Sequence, residues 1–246
     1  MITSIYNGGL GNILFQVAAG ISFAIDNNDN YAINSNNHFG RGQGNHISNY
    51  TENVLLKIQK TNFKSDKILK VSTNNYTDIK YEENLCLDGF FQNYNFFKHN
   101  KDQIKRIFNF DFINFDKIKE KKILSIHIRT GDYLREPKFN IINKNYYEKC
   151  LNMLKIDDYD VYLISDFPNI AKSYLPDINY KIFHKSELHD MFLLSQSDVC
   201  IIPNSTFSWW GSFLGQDKVT YVPHEWNLDK DEFEGIYRED MIKVNF

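Results

Sequence analysis

Short apolar runs separated by polar punctuation dominate the carboxyl-terminal half of the chain. Ile123 to Ile128 reads ILSIHI and follows Lys121 and Lys122. An apolar run bounded by charge predicts a strand buried on both faces, as in a parallel sheet. Similar runs predict strands over 160–165, 180–183, 198–202 and 219–222. Between them, the spacing predicts helices over Asn145 to Leu154, Ile170 to Tyr174, Glu187 to Ser195 and Phe207 to Leu214. Ser186 is placed to cap the third of these. Strands alternating with helices imply an α/β unit with a parallel sheet covered on both faces.

The amino-terminal half gives a sparser pattern. Ile2 to Tyr6 predicts a strand, Asn7 to Gly11 a turn, and Ile13 to Ala24 a helix. Strand, glycine turn and helix form a suitable place for an anion or sugar at a helix amino terminus. The glycine spacing in Gly8-Gly9-Leu10-Gly11-Asn12 is not that of the GxGxxG dinucleotide fingerprint. The polar tract Asn34 to Asn49 predicts a loop, whose His38, Arg41 and His46 are acceptor candidates on one reading and surface residues on the other. Leu85 to Phe91 predicts a strand, followed by Gln92-Asn93-Tyr94, and Asn95 to Phe108 predicts a helix with a basic, solvated face. Residues 109–121 read as a linker, which gives two lobes, 1–115 and 116–246.

Composition narrows the function without choosing it. The 246 residues suffice for two small domains with their own cores. A net charge of −3 argues against a broad basic face, so nucleic acid is not an expected partner. Cys86, Cys150 and Cys200 are too scattered for a disulfide framework or a CxxC metal site. No apolar run is long enough for a membrane span, and the amino terminus lacks a signal-peptide pattern. A cytoplasmic setting is expected, at the periphery of the inner membrane on one reading.

The chemistry concentrates where the central strand ends. His127 and Arg129 arrive at its carboxyl end, ahead of Thr130-Gly131-Asp132-Tyr133. Ligands of open α/β sheets bind outside the carboxyl ends of the strands. A guanidinium there can grip a phosphate through two hydrogen bonds, or it can close a loop salt bridge. Asp166 ends the next strand, where its carboxylate can pair with the N1–H and amine of guanine or cap a helix. Asn204-Ser205-Thr206 opens a helix whose free N–H groups suit a diphosphate. Trp209 and Trp210 read as packing residues. Two Asp-x-Asp sequences, Asp158-Tyr159-Asp160 and Asp229-Lys230-Asp231, invite a metal. The first precedes its strand and the second lies in a charged segment, so both read as solvated acids and no metal is expected.

Three stretches carry a family resemblance. His127-x-Arg129-x-Gly131-Asp132-Tyr133 resembles the central motif of the α-1,2-fucosyltransferases of glycosyltransferase family 11, with Thr130 where many members carry a second Arg. Asn7 to Asn12 with Phe15-Gln16 is similar to the family's GGLGNQLFQ segment, and Asn204 to Gly211 to its NSTFSWWG block. The resemblance implies two Rossmann-like lobes facing across a cleft, the GT-B arrangement. It implies an inverting transfer of L-fucose from GDP-β-L-fucose to the 2-OH of a terminal β-galactoside, with no cofactor. The carboxyl-terminal lobe would hold the donor and the amino-terminal lobe the acceptor. Arg129 would clamp the diphosphate and His127 reach the nucleotide or ribose. Asp166, Asn204, Ser205, Thr206, Gly9 and Asn12 would also serve the donor, and His38, Gln92 and Tyr94 the acceptor. Asp132 would be either the catalytic base or a loop anchor. Two alternatives stand beside this: a fucosyltransferase of other regiospecificity, and a non-catalytic module binding glycans or nucleotide sugars.

Overall fold

Two separate sets of apolar strands make two cores. A computed structural model describes residues 1–38, 45–108, 110–113, 121–139, 141–215, 218–228 and 230–246; the side chains of Asp132, Leu134, Lys230, Asp231 and Glu232 lie outside that description. Arg41, Asp229 and linker residues 114–120 likewise fall outside the described residues. The chain divides into one unit of Met1–Phe112 with Asp231–Arg238, and another of Ile113–Lys230 with Glu239–Phe246.

In the first unit, β1 (Thr3–Ser4), β5 (Leu85–Asp88) and β4 (Lys67–Lys70) form a parallel sheet in that order. A second parallel pair, β2 (Ala32–Ile33) and β3 (Gln59–Lys60), is tied to the first strand by bridges Ile2–Tyr31 and Tyr6–His38. Helix α1 (Leu10–Asp26) is longer than its apolar spacing predicted and is buried along most of its length. Gly20 lets it approach Tyr31 closely, because a Cβ there would overlap the tyrosine ring. The strand expected to reach Phe91 stops at Asp88: Gly89 passes against the Val71 carbonyl and Phe91 turns to a φ of 52°. The expected helix from Asn95 is shorter too. Two 3-10 turns, Tyr94–Phe96 and Lys98–Asn100, precede α2 (Lys101–Ile107).

The second unit is a six-stranded parallel sheet in the order β11-β10-β9-β6-β7-β8. Its strands are β6 (Lys122–Ile128), β7 (Tyr159–Ser165), β8 (Lys181–Phe183), β9 (Val199–Ile201), β10 (Val219–Pro223) and β11 (Met241–Val244). Five of these coincide with the predicted runs to within a residue or two, and β11 was not predicted. The helices are α3 (Lys144–Leu151), α4 (Pro168–Ala171), α5 (Glu187–Gln196) and α6 (Thr206–Leu214), and Ser186 caps α5 through the His189 N–H. On one side of β6, Leu124, Ile126 and Ile128 pack with Tyr146 and Tyr147 of α3. On the other, Ser125 bonds Ser197 at 2.7 Å and the His127 ring lies 5.5 Å from Phe207. Trp209 and Trp210 are fully buried and pack on Phe213, as expected of structural residues.

Candidate active site

The strand order fixes where the site forms. From β6 the chain moves outward through β7 and β8, then returns to β9 on the opposite side of β6. Such a reversal opens a crevice at the carboxyl ends of the two central strands. Arg129 leaves β6 there, and Asn204 follows β9. Tyr133 joins the two loops, its hydroxyl donating to the Asn204 carbonyl at 3.0 Å. The Asn204 amide in turn donates to the Phe139 carbonyl at 3.0 Å, and Phe139 stacks on Tyr133 at 5.3 Å. A concavity results, lined by Ile128, Arg129, Tyr133, Phe139, Ile142, Tyr147, Tyr174 and Asn204. Tyr133 belongs to the motif seen in the sequence. Phe139, Ile142, Tyr147 and Tyr174 carried no signal there, since nothing local distinguishes them from core residues.

Arg129 lies beside the Tyr133 ring at 5.6 Å and pairs with Asp166 at 3.0 Å, with both side chains partly exposed. The loop salt bridge considered for this arginine is therefore real. His127 is 4% exposed, and its Nδ1 has no hydrogen-bond partner among the described residues. Burial, then the neighbouring Arg129 charge, lower its pKa to about 3, against a smaller opposing effect of Asp166. Its imidazole is thus neutral at ordinary pH. Asn204 is 1% exposed and its Oδ1 is also buried without a partner among the described residues. Buried polar atoms of this kind are uncommon and call for a ligand or water. Ser205 precedes α6 and is buried, while Thr206 begins the helix and is partly exposed.

Asp166 is engaged by its own chain. Its Oδ1 accepts from the Thr130 N–H at 3.0 Å and the Thr130 hydroxyl at 2.9 Å, and its Oδ2 from Arg129. Both oxygens that guanine would use thus accept hydrogen bonds from the protein. The capping alternative is not met, since Phe167 is the residue at the start of α4. Asp132 lies in the 3-10 turn Asp132–Arg135, and its side chain is outside the described residues. Asp158 and Asp160 sit at the amino end of β7, away from the strand ends that form the crevice, and Asp160 faces Lys181 at 3.4 Å.

The first unit has a polar cluster of its own. Gln16 bonds the Asn7 backbone in both directions, at 2.9 and 3.0 Å, and so locks the glycine turn onto α1. Gly8 has a φ of 80°, and any Cβ there would strike Asn12. Gly9 stands at the start of α1, and Asn12 accepts from the Gln92 amide at 3.0 Å. The sequence-selected Asn12 and Gln92 thus meet. Tyr94, selected beside them, is 5% exposed, with its ring edge-on to Phe97 at 5.5 Å. His38 is partly buried against the His46 ring at 4.5 Å, and burial followed by His46 lowers its pKa.

Comparison with known proteins gives a family and a fold. A family model described as glycosyl transferase family 11 matches residues 61–246. The O-antigen biosynthesis glycosyltransferase WbnK of Escherichia coli is 30% identical over 176 residues, which is 62% of this chain and 58% of that protein. The alpha-1,2-colitosyltransferase of Escherichia coli is 25% identical over 260 residues, 89% of this chain and 90% of that protein. Among solved structures, the fucosyltransferase NodZ from Bradyrhizobium shares the fold, with a TM-score of 0.50 at 12% identity over 87% of this chain and 93% of that one. A match over most of the chain, including two of the three motifs read from the sequence, makes this protein a member of glycosyl transferase family 11.

Proposed function

We propose that the chain is an inverting, metal-independent glycosyltransferase that moves L-fucose from GDP-β-L-fucose to the 2-OH of a terminal β-galactoside. The observation that carries this reading is the group at the sheet's reversal point: the Arg129 guanidinium lines a concavity with Asn204, whose buried Oδ1 has no hydrogen-bond partner among the described residues. Breaking the glycosidic bond leaves growing negative charge on the diphosphate. Fixed donors directed at that charge lower the barrier without needing to reorganise. Arg129 supplies the cation. The first N–H groups of α6, with Ser205 and Thr206, supply neutral donors. His127, held neutral, contributes a hydrogen bond to the nucleotide and no competing charge. Asp132 takes the acceptor proton or anchors its turn. On this reading Gly9 and Asn12 also serve the donor, and Gln92 and His38 the acceptor.

A second reading changes the donor alone. The colitosyltransferase relative is named for colitose, the 3-deoxy counterpart of fucose, and its α-1,2 linkage supports the linkage proposed here. GDP release should be measured with GDP-fucose and with GDP-colitose, using lactose and a small panel of galactosides, and the product linkage assigned by NMR. Turnover of GDP-fucose to an α-1,2-linked product is expected. Transfer only from GDP-colitose would establish the second reading. No transfer to any galactoside from either donor would refute both.

A further inference from the structure

We propose that Thr130 and Asp166 act together as a buckle that fixes the pose of Arg129, and are positioning residues for the transfer reaction. This inference rests on the reading of Arg129 as the diphosphate clamp. Strands β6 and β7 pair in register with Ile128 opposite Ser165, so residues 129 and 166 leave adjacent strands side by side. One carboxylate then collects bonds from two consecutive residues. Asp166 Oδ2 takes Arg129 Nη1 at 3.0 Å, while Oδ1 takes the Thr130 N–H at 3.0 Å and the Thr130 hydroxyl at 2.9 Å. Thr130 is fully buried, so its hydroxyl points inward to this carboxylate and is not spent on solvent. Gly131 completes the fit, because a Cβ at that position would overlap Asp166 Oδ2.

The physical effect is preorganisation. An arginine side chain has many rotamers, and an anion that binds it must otherwise pay to order them. Two bonds to Thr130 set the turn from which the side chain leaves, and one bond to Nη1 sets the roll of the guanidinium. Neither residue need touch the nucleotide.

The test compares Asp166→Asn, Thr130→Val and Thr130→Ser, with Asp166→Asn also made in an Arg129→Ala background. For each variant, thermal unfolding, affinity for GDP and for ADP, and kcat and KM with GDP-fucose and lactose are measured. Asp166→Asn should lower kcat by roughly tenfold or more, since charge-assisted hydrogen bonds of this kind are lost. The preference for GDP over ADP should stay as it was. In the Arg129→Ala background the same substitution should change kcat by less than about twofold, the non-additivity expected of residues that act through one another. Thr130→Val should lower kcat several-fold, and Thr130→Ser, which restores the hydroxyl, should stay within about twofold of the parent.

A full-sized Asp166→Asn effect in the Arg129→Ala background, or a narrowed GDP preference, would place Asp166 on the nucleotide and overturn the proposal. So would wild-type kcat in both Asp166→Asn and Thr130→Val. If Asp166→Asn does not fold, the Val and Ser variants at Thr130 decide the matter. Wild-type turnover in Arg129→Ala is a different failure: it removes the clamp reading, and the buckle with it.

Discussion

Burial takes His127 far from the environment of a solvated histidine. Burial first, and the Arg129 charge second, hold its pKa at about 3. In the unfolded chain a histidine titrates near 6.5. Between those values the unfolded state binds a proton that the folded state refuses. The stability contributed by the neutral imidazole is therefore complete above about pH 6.5 and is lost as pH falls toward 3, by up to about 1.4 kcal/mol per pH unit. Urea unfolding of the wild type and His127→Gln from pH 7 to 4 should show the wild type losing stability more steeply, by close to one proton. Parallel pH dependences would mean that His127 titrates normally. The sequence placed this histidine at the strand end, and its charge state depended on burial under α6, which no local pattern encodes.

At the scale of elements, α5 and α6 depend on a close approach. A Cβ on Gly211 would stand 2.5 Å from Leu194 Cβ, an atom fixed close to the α5 backbone. Alanine favours a helix over glycine by roughly 1 kcal/mol, whereas overpacking costs about 1–3 kcal/mol. The clash should win, so Gly211→Ala should melt several degrees lower. An unchanged or raised melting temperature would contradict this packing. The central strands of the second unit were legible because they are buried on both faces and read as apolar runs, whereas the edge strand β11 is mostly exposed. The first unit was less so. Strands β2 and β3 are two residues each, and β4, KILK, is mostly exposed, with a lysine at either end. Asp166 shows the other limit: its place at a strand end was readable, but its partners came from the register between β6 and β7. Tyr94 was selected with Gln92 from the family resemblance, and the near-complete burial of its side chain has no local signal in the sequence.

For the whole molecule, the chain crosses between its units more than once. Asp231–Arg238 returns to the amino-terminal unit, and Ile236 is fully buried there, a return that a division into 1–115 and 116–246 does not anticipate. Among the described residues no helix is long and apolar enough to cross a membrane. The charge balance of the proposed reaction rests on fixed groups, with Asp158 and Asp160 at the far end of β7 from the crevice. Transfer should accordingly survive EDTA with little loss. A loss of most activity that Mg²⁺ or Mn²⁺ reverses would replace the fixed-cation mechanism with a metal-assisted one.

The most direct test of the account bears on Arg129. Lysine keeps the charge but lacks the planar fork, so Arg129→Lys should lower turnover by about 10–100-fold. GDP affinity should fall less, because the diphosphate charge is greatest as the bond breaks. The fold should persist, since Arg129 lies past the end of β6 and is partly exposed. Turnover, GDP affinity and thermal unfolding should be measured together for the wild type and Arg129→Lys. A large loss of turnover with an intact fold is the predicted result. Turnover within about threefold of wild type, with the fold intact, would show that Arg129 is not the diphosphate clamp.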